Sequence, residues 1–354
     1  MEPGGVCGGA AVLVLLSLAR CQCGLAEGST VGSRSCAAAP AAAARAGSQA
    51  GRGQSDLMLL QQRYSTSTER SGGPGKHDGP DRPRPEPESP PGPASAGVDV
   101  PARLATFNVY YKELELPERV NGISSALANV SADITVVTEL WEWNGKARIL
   151  EEVRRKAQRN YVFCSGGDFQ EKSWDGDILY DADLWQSLRD GVLDMGDERG
   201  LSWALLQHRA SGRKLFVYGA HPLCCGNEDI HLQNAMAFAE HLAAQPERPE
   251  TPAIIMGDFN AFEDWWSTRL YRGEWVWAFN RWWKLPIAFE DSFRALESNR
   301  YADGTTFKSG VRFDYIFTEW RDPPAFAATS SSIWREAPGS SDHYPLMADV
   351  LLRG

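Results

Sequence analysis

The stretch "PAIIMGDFNAFE", residues 252 to 263, begins as an apolar run and then sets an acid and an amide two positions apart. The apolar run has the length and composition of a buried strand. Asp258 and Asn260 follow it, with Phe259 between them. Alternation along an extended chain would turn Phe259 toward the core and its two polar neighbours away from it. A strand followed by an ordinary turn would also explain this stretch, since Gly, Asp and Asn favour turns.

Apolar runs of strand length recur along the rest of the chain, with helical patterns between them. Further strands are predicted over residues 103–109, 133–140, 175–181, 201–209, 214–221, 312–319 and 345–352. Helices are predicted from Pro117 onward and over 145–158 and 230–243, where apolar residues recur on one face. This alternation favours a layered α/β architecture over an all-helical or all-strand fold.

The first hundred residues differ in composition from the rest. Residues 1–26 hold an apolar core from Ala10 to Ala19, too short to span a bilayer, and are predicted to be a signal peptide. Their lack of Lys or Arg before that core leaves an uncleaved anchor or a disordered start as alternatives. Residues 27–100, rich in Ala, Gly, Ser, Pro and Arg, are predicted to be a disordered linker. We therefore expect the secretory pathway or the extracellular space, with an organelle reached through a bipartite signal as the alternative.

Residues 101–354 are long enough for a single well-buried domain. The first hundred residues are neutral, so this domain carries the whole net charge of −10. A domain that binds nucleic acid mainly by neutralising phosphates is usually basic, which leaves only a local basic groove for such a role. Its cysteines, Cys164, Cys224 and Cys225, match neither a disulfide framework nor a zinc site by spacing. One bridge from Cys164 to the vicinal pair and free thiols are both consistent with this number.

Polar side chains stand at or near the ends of the predicted strands. They are Asn108, Glu139, His221, Asp258 with Asn260, Asp314, and Asp342 with His343. Each alone has a simpler explanation as a turn residue or a solvated strand end. Strands packed into one or two sheets would bring them to a common edge, where two carboxylates 4 Å apart repel by roughly 4 kcal/mol at a dielectric of 20. A hard divalent cation among Glu139, Asp258 and Asp342 would remove that cost, and oxygen ligands favour Mg²⁺, with Mn²⁺ as the alternative, over zinc.

Six segments resemble, in this order and at similar spacing, the motifs of the endonuclease/exonuclease/phosphatase superfamily, which has the deoxyribonuclease I-like fold. They are "ATFNVY", "VVTELW", "YGAHP", "IIMGDFNA", "RFDYIF" and "SSDHYPLMADV". The resemblance covers nearly the whole domain, from Leu104 to Leu351. It implies a four-layer α/β/β/α sandwich of two face-to-face mixed β-sheets flanked by helices. It also implies metal-dependent hydrolysis of phosphate esters by in-line attack of water on phosphorus.

The resemblance also implies roles for individual residues. The implied metal ligands are Asn108 and Glu139, with Asp342 near the metal. Asp258 would align or deprotonate the attacking water, and Asn260 would hold a phosphate oxygen. His343, oriented by Asp314, would be the second catalytic histidine, and His221 would donate to the phosphate in the transition state. Whether Asp258 or His343 takes the proton from water is left open.

The substrate is not decided by these motifs. A nuclease-type phosphodiesterase is the default, and a lipid or small-molecule phosphodiesterase or phosphatase, sphingomyelinase-like in substrate, is the alternative. A non-catalytic binding protein with the same fold is the rival from another class. Six of the 13 tryptophans fall in residues 265–283, which is consistent with a packed loop, a substrate-stacking wall or a membrane-surface contact. We expect a monomer that acts on a phosphoester, with nucleic acid as a candidate partner.

Overall fold

The structure is a computed structural model that describes residues 97–140, 143–164, 176–196, 199–224, 228–336 and 339–354. The predicted signal peptide and nearly all of the predicted linker lie outside the described residues, as does Cys225. Within the described ranges, every helix is too short or too polar to cross a bilayer.

All eight predicted strands and all three predicted helices are present, with ends shifted by a few residues. The strands are β1 Val100–Asn108, β2 Ile134–Thr138, β3 Tyr161–Phe163, β4 Asp177–Asp181, β5 Trp185–Gly196, β6 Arg199–His208, β7 Lys214–Ala220, β8 Ala253–Asp258, β9 Val276–Ala278, β10 Arg281–Trp283, β11 Ala288–Asp291, β12 Asp314–Trp320, β13 Phe326–Ile333 and β14 Leu346–Leu352. The helices are α1 Pro117–Val130, α2 Trp143–Ala157, α3 Glu228–Ala243 and α4 Trp266–Tyr271.

The strands form two six-stranded sheets and one separate hairpin. The first sheet has the order β13-β14-β1-β2-β4-β3, the second has the order β11-β12-β8-β7-β6-β5, and β9 pairs with β10. Each large sheet is mixed, because β1 runs parallel to β2 and β7 runs parallel to β8 while their other neighbours are antiparallel. The mixed character of both sheets confirms that part of the predicted fold.

The two sheets face each other across an apolar core. Ile134 and Val136 of the first sheet belong to one buried cluster with Ile254 and Met256 of the second. Helices α1 and α2 cover the outer face of the first sheet, and α3 and α4 cover the outer face of the second. The four-layer α/β/β/α sandwich is therefore confirmed. Cys164 is buried in the core between the sheets.

Six strands, β3, β5, β9, β10, β11 and β13, were not predicted from the sequence. β5 carries Arg189, Asp190 and Asp194 and lies at the edge of its sheet, where charged residues are tolerated. β3, β9, β10 and β11 are three or four residues long. Such short strands show too few alternations for a pattern of period two to be recognised.

Candidate active site

The two parallel strand pairs place four of the predicted site residues at one end of the sandwich. Asn108 is level with Thr138 across β1 and β2, so Glu139 follows directly beside it. Ala220 is level with Gly257 across β7 and β8, so His221 and Asp258 follow as neighbours. In the second sheet Asp258 is also the register partner of Asp314 on β12.

Gly257 allows β7 and β8 to approach closely at the site. Its φ is +151°, and a Cβ at this position would lie 1.8 Å from the Ala220 carbonyl oxygen. No side chain fits in that space, so the glycine before Asp258 is required by the backbone and not only by a turn. The close approach brings His221 within reach of Asp258.

Asn108 joins the two sheets through its side chain. Its Nδ2 donates to Glu139 Oε1 and to Asp258 Oδ2, each at 2.9 Å, and its Oδ1 accepts from the backbone N–H of Tyr110 at 2.9 Å. Asn108 is almost fully buried. The predicted convergence of Glu139 and Asp258 is thus present, and an amide donor lies between the two carboxylates.

A second chain of contacts runs through Asp258, His343 and Asp314. His343 Nδ1 lies 2.8 Å from Asp314 Oδ2, and its Nε2 lies 3.6 Å from Asp258 Oδ2. All three side chains are buried. Asp314 therefore orients the imidazole and turns its other nitrogen toward Asp258.

The charges in this chain shift one another's pKa values. Burial alone would raise the pKa of Asp258, but the positive charge of His343 and the hydrogen bonds from His221 and Asn108 outweigh burial and hold it well below its usual range. For His343, burial opposes the charged form, but Asp314 and Asp258 raise its pKa to about 9. These shifts favour the carboxylate form of Asp258 and the imidazolium form of His343 at neutral pH, while burial raises the pKa of Asp314.

His221 approaches the same two carboxylates. Its Nε2 lies 3.5 Å from Asp258 Oδ2 and 3.8 Å from Glu139 Oε1, while Arg199 Nη1 lies 3.5 Å from its Nδ1. Nε2 of His221 therefore faces the two carboxylates, and Nδ1 faces the Arg199 guanidinium.

Asn260 lies just beyond β8 in a left-handed turn. Its φ is +48°, its backbone N–H donates to Asp258 Oδ1 at 2.9 Å, and its Nδ2 donates to the Pro222 carbonyl at 3.1 Å. Phe259 is buried and packs edge-on against Tyr315 and Phe317, as alternation predicts. Asn260 is therefore both a turn residue and a site residue, because its amide bonds to the loop that follows His221.

Two more site residues adopt left-handed backbone conformations that are unfavourable for their residue types. Glu139 has a φ of +61° and Tyr110 a φ of +57°. Such conformations cost of order 1 kcal/mol or more, and they persist where the surroundings enforce them. At Glu139 this turn is accompanied by a hydrogen bond at 3.0 Å from the Tyr111 backbone N–H to Oε2.

Asp342 makes a different set of contacts. Its Oδ1 accepts from Ser341 Oγ at 3.3 Å, and its backbone carbonyl accepts from the Lys308 N–H. Its charge contributes to the raised pKa of His343. The predicted role of Asp342 near a metal stays a prediction, as do the other roles implied by the resemblance.

Two residues that join the first and last motifs escaped the sequence analysis. Arg119 on α1 donates to the carbonyl of Tyr110 at 2.7 Å and to that of Ser340. Ser341 Oγ donates to the Asn108 carbonyl at 2.6 Å and accepts from the His343 N–H at 3.0 Å. Both residues hold the loop after β1 against the loop before β14. Ser341 lies within one of the quoted motifs, but neither its contacts nor those of Arg119 have a sequence signal, because their partners are backbone atoms whose positions depend on the folded loops.

The residues present suit a hard divalent cation. Their hydrogen bonds indicate which of them would bind it. Ligand atoms of Asp258, Asp314 and His343 lie within 4.8 Å of one another, but Asp314 and His343 already satisfy each other by a hydrogen bond. Glu139 and Asp258 supply the anionic oxygens that such a cation prefers. Asn108 directs its N–H toward these carboxylates, while a metal ligand would have to present the Oδ1 that now accepts from Tyr110.

An aromatic track leads from His343 to the surface. The ring centroid of Phe307 lies 4.7 Å from that of His343, Phe313 lies 5.8 Å from Phe307, and Phe262 lies 5.3 Å from Phe313. Phe262 is exposed, while Phe307 and Phe313 are half-buried. These three rings form a continuous chain of ring contacts from the buried imidazole to the exposed Phe262.

Comparison with known proteins agrees with the motifs. The sequence model of the Endonuclease/Exonuclease/phosphatase family matches residues 105–343. None of the curated proteins compared with the chain matches it by sequence.

Several solved structures share the fold at low sequence identity. An endonuclease/exonuclease/phosphatase from Bacteroides vulgatus has a TM-score of 0.56 and 17% identity, covering 72% of this chain and 100% of its own. A mannosyl-6-phosphatase from Bacteroides thetaiotaomicron has a TM-score of 0.53 and 17% identity, covering 70% and 99%. TDP2 from D. rerio in complex with a single-strand DNA product has a TM-score of 0.54 and 19% identity, covering 71% and 99%.

Proposed function

Because the chain belongs to the Endonuclease/Exonuclease/phosphatase family, whose members hydrolyse phosphate esters, we propose that it is a divalent-cation-dependent phosphodiesterase. The observation that carries this proposal is the chain of buried polar contacts that runs from Glu139 through Asn108 and Asp258 to His343 and Asp314. A binding protein with the same fold would have no need to bury these charges, since burying even a paired charge carries a desolvation cost.

The charge states of the ligand-free site suggest how the protons are handled. Asp258, held as a carboxylate by His343, accepts the proton of the attacking water. His343, held as an imidazolium by Asp314, donates a hydrogen bond to a phosphate oxygen as negative charge develops there. We therefore propose Asp258 as the base, because an imidazolium already carries a proton on both ring nitrogens and cannot accept another.

The remaining polar groups position the phosphate. His221 presents an N–H from Nε2, and Asn260, with one amide hydrogen on Pro222, retains the other for a phosphate oxygen. Glu139, with Asp258 or Asn108, would hold Mg²⁺ or Mn²⁺, which supplies Lewis-acid stabilisation of the phosphoryl oxygens when bound. In-line attack needs both sources of positive charge, because charge spreads over the equatorial oxygens.

The aromatic track supports a diester rather than a small monoester as the substrate. Phe307, Phe313 and Phe262 offer a surface of ring faces and edges beside His343, which suits a base or another apolar group attached to the reacting phosphate. A nuclease-type phosphodiesterase is therefore the first candidate. A lipid phosphodiesterase is the second, and the exposed tryptophans of the β9–β10 hairpin favour it.

A substrate panel tests the proposal directly. Plasmid DNA, RNA, sphingomyelin and a soluble phosphomonoester are each incubated with the full chain in Mg²⁺, in Mn²⁺ and in chelator. We expect cation-dependent cleavage of a diester by the wild type and its loss in Glu139→Gln. Glu151→Gln, an exposed site on α2, is the matched control and should keep full activity. Activity in chelator, or activity of Glu139→Gln equal to that of the control, would remove the proposed site.

A further inference from the structure

The β9–β10 hairpin has two different faces. Val276, Ala278 and Trp283 point inward and are buried in the core beside α3 and α4, and Trp283 Nε1 donates to the Ala278 carbonyl at 2.9 Å. The opposite face carries Trp275, Trp277 and Trp282, which are 58%, 51% and 60% exposed. We call these three outward side chains the tryptophan face.

The tryptophan face runs against the usual pattern of a sheet with one solvated side. Such a side is polar in most soluble proteins, whereas here Trp277 and Trp282 form a directly opposed cross-strand pair with ring centroids 5.4 Å apart. The buried side of the hairpin anchors these rings, so their exposure is a feature of the folded state. A contiguous exposed apolar patch on a rigid element indicates an interaction surface.

The chain segment that carries this face has a net positive charge, whereas the domain as a whole is acidic. Residues 269–284 contain Arg269, Arg272, Arg281 and Lys284 and a single acid, Glu274, while the whole chain has a net charge of −10. Glu274 is bonded to Arg269 and Arg272, each at 2.8 Å. Lys284 Nζ lies 5.8 Å from the ring centroid of Trp275. The segment that carries the tryptophan face therefore has a net positive charge, which complements an anionic partner.

We propose that the tryptophan face is a docking surface for a phospholipid bilayer that contains anionic headgroups. Tryptophan is enriched at the boundary between headgroups and acyl chains, because its ring is apolar while its N–H still bonds to polar groups. Nearby Lys and Arg add attraction to an anionic leaflet, and this attraction is local because distant acidic residues are screened by salt. The inference does not depend on the proposed chemistry, since docking needs no catalysis.

A single-stranded nucleic acid fits the same face less well. Base stacking needs open ring faces, but Trp277 and Trp282 meet edge-to-face at an interplanar angle of 67°. A bilayer does not need open ring faces, because ring orientation matters little for partition into the interface.

The test is flotation of the full chain with vesicles of phosphatidylcholine alone and of phosphatidylcholine mixed with phosphatidylserine, in chelator. We expect binding to the mixed vesicles, weakened but not abolished by salt, and quenching of tryptophan fluorescence by brominated acyl chains. The affinity of the double variant Trp277→Ser with Trp282→Ser for the mixed vesicles should be lower by about tenfold or more. Tyr301→Ser, which removes a 90% exposed aromatic elsewhere, is the matched control and should bind as the wild type does.

Several outcomes would overturn the inference. Failure of the wild type to float with mixed vesicles would do so, as would equal binding by the double variant, which would assign membrane contact to another part of the chain. Binding of an oligothymidylate that the double variant loses, without any vesicle binding, would assign the face to nucleic acid. Melting temperatures of all variants show that they are folded, so a loss of binding cannot be mistaken for a loss of structure.

Discussion

In the pocket at the end of the sandwich, Asp258 and Asp314 are almost fully buried, whereas on the hairpin that follows β8 and α4, Trp277 and Trp282 are more than half exposed. Each region reverses the ordinary relation between polarity and burial. In the pocket the reversal is compensated internally, since each buried charge has a partner of opposite sign or a hydrogen-bond donor. On the tryptophan face the described contacts join the rings to one another and to Lys284.

The two regions suit different kinds of partner. The pocket is already organised before any ligand arrives, which is what electrostatic stabilisation of a transition state needs. The tryptophan face is rigid but open, which is what association with a surface needs. The two regions should therefore respond separately to mutation.

The largest expected effect comes from Asp258→Asn. This change removes the carboxylate that pairs with His343 and accepts the proton of water, so kcat/KM for a diester should fall by roughly 10²- to 10⁴-fold. Initial rates on the substrate found in the panel measure it. Asp303→Asn, at an exposed carboxylate that contacts Arg335 at 3.0 Å, is the matched control. A loss of less than tenfold would mean that the pocket is structural and not catalytic.

The second prediction concerns pH. His343 has its pKa raised to about 9, so it is an imidazolium below that pH and neutral above it. If the imidazolium stabilises the phosphate, kcat/KM should decline about tenfold per pH unit as the pH rises beyond 9. The residual activity of His343→Gln should lack this descending limb. An activity that instead rises through the pKa of His343 would make the neutral imidazole the base and Asp258 a positioning group.

How much of this pocket could be predicted from the sequence depends on the kind of contact. Asn108, Glu139, His221 and Asp258 were predictable, because parallel pairing of β1 with β2 and of β7 with β8 carries strand ends to one edge. The hydrogen bonds from Arg119 could not be predicted, because they go to backbone carbonyls whose positions depend on the folded loops. The apolar runs likewise predicted the central strands, but the edge strand β5 lacked such a signal because solvent accepts its charges.

The third prediction tests one of these unpredicted contacts. Ser341→Ala removes a hydroxyl that donates to the Asn108 carbonyl and accepts from the His343 N–H, so the free energy of unfolding should fall by about 1 kcal/mol. Because both partners belong to the pocket, kcat should fall by up to about tenfold while KM changes less. Ser298→Ala, in a short exposed 3-10 helix, is the control for the loss of a hydroxyl. Equal changes in kcat/KM for both variants would show that the hydrogen bonds of Ser341 between the two loops do not position the pocket.

The smallest expected effect separates hydrolysis from surface attachment. The double variant Trp277→Ser with Trp282→Ser should hydrolyse a small soluble diester within about twofold of the wild type, because the rings it removes are held from beneath by Val276, Ala278 and Trp283 and point away from that support. With the same substrate carried in vesicles, its rate should fall in proportion to its loss of binding. If the soluble rate falls as much as the vesicle rate, the tryptophan face acts on the pocket itself, and the two regions form one functional unit. A fall confined to vesicles would instead establish that hydrolysis and surface attachment are built into separate parts of the fold.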